Sequence, residues 1–97
     1  MQLKPGCARE YKHRHDNIWP ELKSLLSEAG ISDYTIFLDE ETDTLFAFQK
    51  TRGDQGSQDL AGSEIVRKWW AYMADIMETN SDNSPKSTTL TEVFHLE

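Results

Sequence analysis

Tyr11, His15 and Trp19 follow one another at intervals of four residues. Four residues of helix advance about 400° and about 6 Å, so the three side chains would stand nearly on one line. They interrupt a stripe that is otherwise apolar: Ala8, Ile18, Leu22, Leu25, Leu26 and Ala29. A core-facing stripe normally carries Leu, Ile or Ala. A phenol, an imidazole and an indole in those places bring polar atoms that need partners, and the imidazole titrates near neutral pH. His15 could serve as a general acid or base oriented by Tyr11, or pack with its polar atoms satisfied by a backbone carbonyl. Spacing alone tilts slightly toward packing.

Trp69-Trp70 is the second such feature. Adjacent helix residues diverge by about 100°, so one indole is expected to pack inward while the other turns toward a pocket rim or a dimer partner. An indole face offers an apolar platform for the C–H face of a sugar beside its hydroxyls. Helix-on-sheet packing is the plainer role and accounts for at least half of Trp69. The Tyr34 hydroxyl could reach a pocket at the end of the first helix, or lie at a sheet edge. Asp82-Asn83-Ser84-Pro85 is first a turn signature and only then a pocket lid. His13 and His15 make a poor metal pair, because helix residues two apart point about 200° from each other. No HExxH or comparable spacing occurs, so no metal is expected. Lys12, His13 and Arg14 read as a solvated face. Gly-rich phosphate loops, a GxSxG elbow and a CxxC pair are absent, so no cofactor is signalled and the expected ligand is uncharged.

The elements that must carry these residues show in the periodicity. Residues 1–3 make a very short strand. Pro5-Gly6 is punctuation, and the helical stripe runs from about Cys7 to Ala29 with Gly30 as its C-cap. Pro20 is expected to kink this helix around Asp16 to Trp19 rather than end it. Residues 34–38 and 45–50 read as strands joined by the polar turn 39–44. Residues 51–62 have no strong period and are expected to form a mobile loop with at most one helical turn. Ser63 is placed to cap a second helix with Ile65, Val66, Trp69, Met73, Ile76 and Met77 inward. After a turn-rich stretch over 79–87, the alternation in 88–96 predicts a last strand. The order βαββαβ is that of an α+β, ferredoxin-like sandwich, with both helices on one face of an antiparallel sheet. One domain spans residues 1–97. The open sheet face calls for solvent, a ligand or a second copy, and a homodimer of the dimeric α/β-barrel type is expected.

A formal charge of −7 and a pI near 4.8 argue against nucleic acid and against an anionic membrane surface. The single cysteine, Cys7, allows no internal disulfide and no thiolate zinc cluster, and suits a reducing cytoplasm. No run of 18 apolar residues occurs and residues 1–6 do not resemble a signal peptide, so a cytoplasmic protein is expected.

EYKHRHDNIWPEL (10–22), YTIFLD (34–39), KWWAYMADIM (68–77), DNSP (82–85) and TEVFHL (91–96) resemble the L-rhamnose mutarotases. The match runs over nearly the whole chain in order and spacing, and the segments around His15 and Trp69-Trp70 are its specific part. The resemblance implies a ferredoxin-like homodimeric isomerase, of the aldose 1-epimerase type. Such an enzyme interconverts the α and β anomers of L-rhamnose, a small neutral sugar, without metal or cofactor. It implies that His15 is the proton donor and that Tyr11, Tyr34, Trp69 and Trp70 bind the sugar. The base stays open between Tyr11, a carboxylate such as Asp16, and an ordered water. Two departures stand out. Fewer residues precede the first helix than in the family, which shortens the first strand, and 51–62 lacks the charged stretch expected there. Two other classes remain in view. One is a small dimeric cofactor-independent oxygenase of the same architecture, taking a flat aromatic substrate or haem. The other is a non-catalytic sugar-binding module.

Overall fold

The computed structural model describes residues 1–53, 56 and 60–97. Among them run α1 (Ala8–Asp16), α2 (Pro20–Glu28), β1 (Ile31–Asp39), β2 (Thr44–Thr51) and α3 (Glu64–Met73). The loop expected over 51–62 falls largely outside the described residues.

The single kinked helix expected between Cys7 and Ala29 is two helices. Trp19 leaves the helical path, with φ −61° and ψ 130°, and Pro20 occupies the first position of α2. Proline has no N–H to donate, and at the start of a helix that donor would be unpaired anyway. Ending one helix and starting another therefore sacrifices less than a gap in the middle of a long one. Asn17 closes α1 by donating both its backbone N–H and its side-chain amide to the His13 carbonyl, at 3.2 and 2.9 Å. Gly30 closes α2 as its position predicts. It sits at φ +88° and donates its N–H to the Ser27 carbonyl at 3.0 Å.

β1 and β2 pair antiparallel, with Phe37 opposite Phe46 and Leu38 opposite Leu45. The Glu41 N–H donates to Asp39 Oδ1 at 3.1 Å and tightens the polar turn between them. β1 starts at Ile31, three residues before the strand read from sequence. Its register breaks between Ser32 and Thr35, with Asp33 in the left-handed region at φ +48°. One extra residue in a strand reverses which side chains face the core. Ile31 is buried before the bulge; after it Tyr34, Ile36 and Leu38 turn inward. Phe37, Phe46 and Phe48 are left on the outer face, exposed.

The N-terminal segment runs beside the start of β2. Leu45 N–H donates to the Met1 carbonyl at 2.8 Å, and Leu3 N–H to the Asp43 carbonyl at 2.9 Å. On its other side Lys4 N–H donates to Ile76 O and Glu78 N–H to Gln2 O. The expected first strand is thus reduced to isolated bridges, Gln2 with Thr44 and Leu3 with Met77. The last strand expected over 88–96 does not form. Residues 88–97 have no regular structure, and Leu90, Val93, Phe94 and Leu96 are 65–92% exposed. The place beside the N-terminal segment is already taken by 76–78, so the alternating pattern of this tail is unused within its own chain. The result is an α+β domain with three helices and a two-stranded antiparallel sheet among the described residues.

Between the helices and the inner face of the hairpin lies the core: Leu3, Leu22, Leu45, Val66, Met73 and Met77, joined by Tyr11, Trp69 and Trp70. Ser63 does stand at the N-cap of α3, but its side chain makes no capping bond. Packing of Val66, Trp69, Trp70 and Met73 therefore holds α3 in place, and truncating a buried Trp costs about 3–5 kcal/mol.

Candidate active site

α1 presents Tyr11 and His15 one turn apart, and the spacing delivers the stack that it predicts. The two rings lie 4.3 Å apart between centroids and within 26° of parallel. α3 brings Trp69 edge-on to His15 at 5.3 Å. The bulge in β1 turns Tyr34 toward the same interior. These residues and Trp70 all line one cavity of about 1130 Å³, between the helices and the inner face of β1. All five site residues read from the sequence are brought together. Trp69 and Trp70 differ from expectation in one respect. Neither turns out to a rim: both are buried, at 8% and 5% exposure, and both line the cavity.

His15 Nδ1 lies 3.2 Å from the Tyr11 carbonyl oxygen. A carbonyl only accepts, so in the neutral ring Nδ1 carries the hydrogen and Nε2 keeps its lone pair. Burial lowers the His15 pKa below the usual imidazole value, partly opposed by that carbonyl and by Asp16. Burial likewise raises the Tyr11 pKa, and the neighbouring Tyr34 pushes it the same way. The site therefore holds a neutral base and a neutral phenol donor at ordinary pH. Asp16 also borders the cavity, but its carboxylate is tied to Lys12 Nζ at 3.0 Å in an exposed pair.

Arg14 does not belong to a solvated face with Lys12 and His13. Its side chain is only 10% exposed. Its guanidinium donates to Asp75 Oδ1 and Oδ2 at 2.8 and 3.3 Å, to the Tyr72 carbonyl at 2.8 Å, and to Glu10 Oε1 at 3.0 Å. It also stands 4.5 Å over the Tyr72 ring. Tyr72 stacks on Trp19 at 5.5 Å, and Trp19 meets Trp69 edge-on at 5.0 Å. The Glu10–Arg14 spacing is readable as a helical ion pair. Asp75, 61 residues away, leaves no local signal. Among the described residues no three His, Cys, Asp or Glu side chains are grouped to hold a metal ion, and no helix is long and apolar enough to cross a membrane.

A family model described as L-rhamnose mutarotase matches residues 1–96. An L-rhamnose mutarotase of Bacteroides thetaiotaomicron is 65% identical over 97 residues, covering all of this chain and 93% of the relative. One from Phocaeicola vulgatus is 57% identical over the same shares. The crystal structure of an L-rhamnose mutarotase from Formosa agariphila superposes with a TM-score of 0.92 at 59% identity, over 100% of this chain and 93% of that one. By sequence along its whole length, and by a backbone that follows a solved member, this chain belongs to the L-rhamnose mutarotase family.

Proposed function

We propose that this protein interconverts the α and β anomers of L-rhamnose, with His15 as the group that moves the proton. Family membership supports the reaction. The observation that supports the role of His15 is its bond to the Tyr11 carbonyl, which leaves the Nε2 lone pair as the base of a ring that lines an aromatic-walled cavity. Nε2 takes the proton from the anomeric hydroxyl O1. The C1–O1 bond becomes a carbonyl as the C1–O5 bond breaks, and the imidazolium returns the proton to O5. Both oxygens are bonded to the same carbon, so one ring nitrogen can serve each in turn. The open aldehyde turns about C1–C2 and recloses from its other face by the same transfers in reverse. A positioned acid–base group of this kind contributes about 10²–10⁴-fold.

Tyr11, kept as a phenol by burial, would donate a hydrogen bond to a sugar oxygen, and Tyr34 a second one. Trp69 and Trp70 supply an apolar wall for C–H faces. Of the candidates for the base, Asp16 is disfavoured by its pair with Lys12. Freshly dissolved L-rhamnose should reach its equilibrium rotation faster with the protein than without, and His15→Gln should remove the gain. Saturable sugar binding with no acceleration of anomer exchange by NMR would instead make the protein a sugar-binding module.

The proposal extends to a homodimer. The cavity exceeds the about 300–1,000 Å³ usual for a small-molecule pocket, and it is only partly enclosed. The outer face of the hairpin exposes Phe37, Phe46 and Phe48, while the tail of the same chain exposes four large apolar residues and pairs with no strand among the described residues. A second copy offering its tail to this sheet would cover both sets. The activity is proposed for the cytoplasm, since the single cysteine is free.

A further inference from the structure

Arg14 makes more interactions than α1 alone requires. Its planar fork joins two carboxylates, one backbone carbonyl and one aromatic face, and all but a tenth of the side chain is covered. The carbonyl is that of Tyr72, in the last turn of α3, where helix carbonyls lack intrahelical partners and a cation is favoured. The other end of the connection is the last turn of α1. That helix has nine residues, too few to be stable alone, and its path breaks straight after Asp16. His15 is the next residue in the same turn. We propose that Arg14 is a positioning residue for His15: anchored on Asp75 and the Tyr72 carbonyl, it holds the end of α1 against the end of α3 and so fixes where the imidazole stands.

Two paths carry the effect. Through the backbone, Arg14 prevents the last turn of α1 from fraying. Through the side chains, it presses Tyr72 onto Trp19, which meets Trp69, whose edge meets His15. Tyr34 on β1 and Trp70 on α3 lie on neither path. Loss of the fork should therefore disturb proton transfer more than sugar binding. Lysine cannot replace it, having neither the plane to cover Tyr72 nor the fork to engage Asp75 with two donors.

The inference rests on the reading of His15 as the proton-transfer group, and the test separates the two. Anomer-exchange rates would be measured for wild type, Arg14→Lys and His15→Gln, with melting curves for each. The expected result is that Arg14→Lys lowers kcat about ten- to hundredfold, as misplacement by an ångström can, with KM within about twofold. Unchanged kcat in folded Arg14→Lys, while His15→Gln is inactive, overturns the positioning role alone. Full activity in His15→Gln overturns both readings. Should Arg14→Lys fail to fold, Asp75→Asn, an exposed change that removes the charged anchor, carries the same comparison: a lowered kcat with KM within about twofold supports the inference, and an unchanged kcat overturns it.

Discussion

Burial acts on His15 and Tyr11 in the same sense, keeping each side chain uncharged. For His15 the consequence is a base that stays available on the acid side of neutrality. Because desolvation lowers its pKa, the acid limb of kcat/KM should fall below the ordinary imidazole range near about 6.5. An acid limb at or above that range would contradict the buried, neutral ring. The same shift has a stability side. Between the lowered folded pKa and the unfolded value, the unfolded chain binds more protons, so stability rises with pH across that window and is lost as pH falls through it. His15→Gln should flatten this slope in denaturant titrations at pH 5 to 7. Tyr11 is pushed the other way, so it keeps its proton through the alkaline range used for assays. Tyr11→Phe should remove one hydrogen bond, about 0.5–1.5 kcal/mol, and raise KM by up to about tenfold.

At the level of elements, two backbone details carry the geometry. The bulge at Asp33 absorbs one extra residue, so that Ile31 and Tyr34 both face inward; deletion of Asp33 should leave a regular strand with Ile31, Tyr34, Ile36 and Leu38 still on one face. Such a variant should keep its far-UV helical signal and most of its activity; lost activity in the folded variant would show that the bulge does more than keep Tyr34 inward. Gly30 holds φ +88°, and a Cβ there would lie 2.7 Å from Arg52 Nε. Arg52 itself donates to the Glu28 carbonyl at the end of α2 at 3.0 Å. Gly30→Ala should therefore cost about 1–2 kcal/mol, read as a lowered melting temperature. Gly30 was plain from sequence because a glycine after a periodic run has one common use. The stack of Tyr11 on His15 was equally plain, since both lie on one helix and its pitch relates them. The bulge was not, since a single inserted residue changes no composition and shows only in the pairing of two strands. Arg14 is illegible for a related reason: Tyr72 and Asp75 come from α3 and the turn after it, and charge on a local helix face normally means water. The split at Trp19-Pro20 looks like a kink from sequence because sequence does not say whether the turn after proline finds its own packing.

For the molecule as a whole, the tail is the element whose sequence and surroundings disagree. Alternating, β-branched and apolar, residues 88–96 read as a strand, yet they meet no edge of their own chain. If a second copy supplies that edge, ending the chain after Lys86 should convert a dimer to a monomer in sedimentation equilibrium and make the melting temperature independent of protein concentration. A full-length chain that sediments as a monomer at high concentration would refute the homodimer. The packing of α1, α2 and α3 around one aromatic cluster has a practical outcome as well. Of the three tryptophans of the chain, Trp69 and Trp70 are buried and Trp19 is half-buried; Trp19 and Trp69 are in edge contact, and Trp69 also meets His15. A protonated imidazole quenches the light emitted by a neighbouring indole far more than a neutral one does. The protein's native fluorescence should therefore brighten as pH rises through the titration of a single ring, giving an optical gauge of the proton without any added dye.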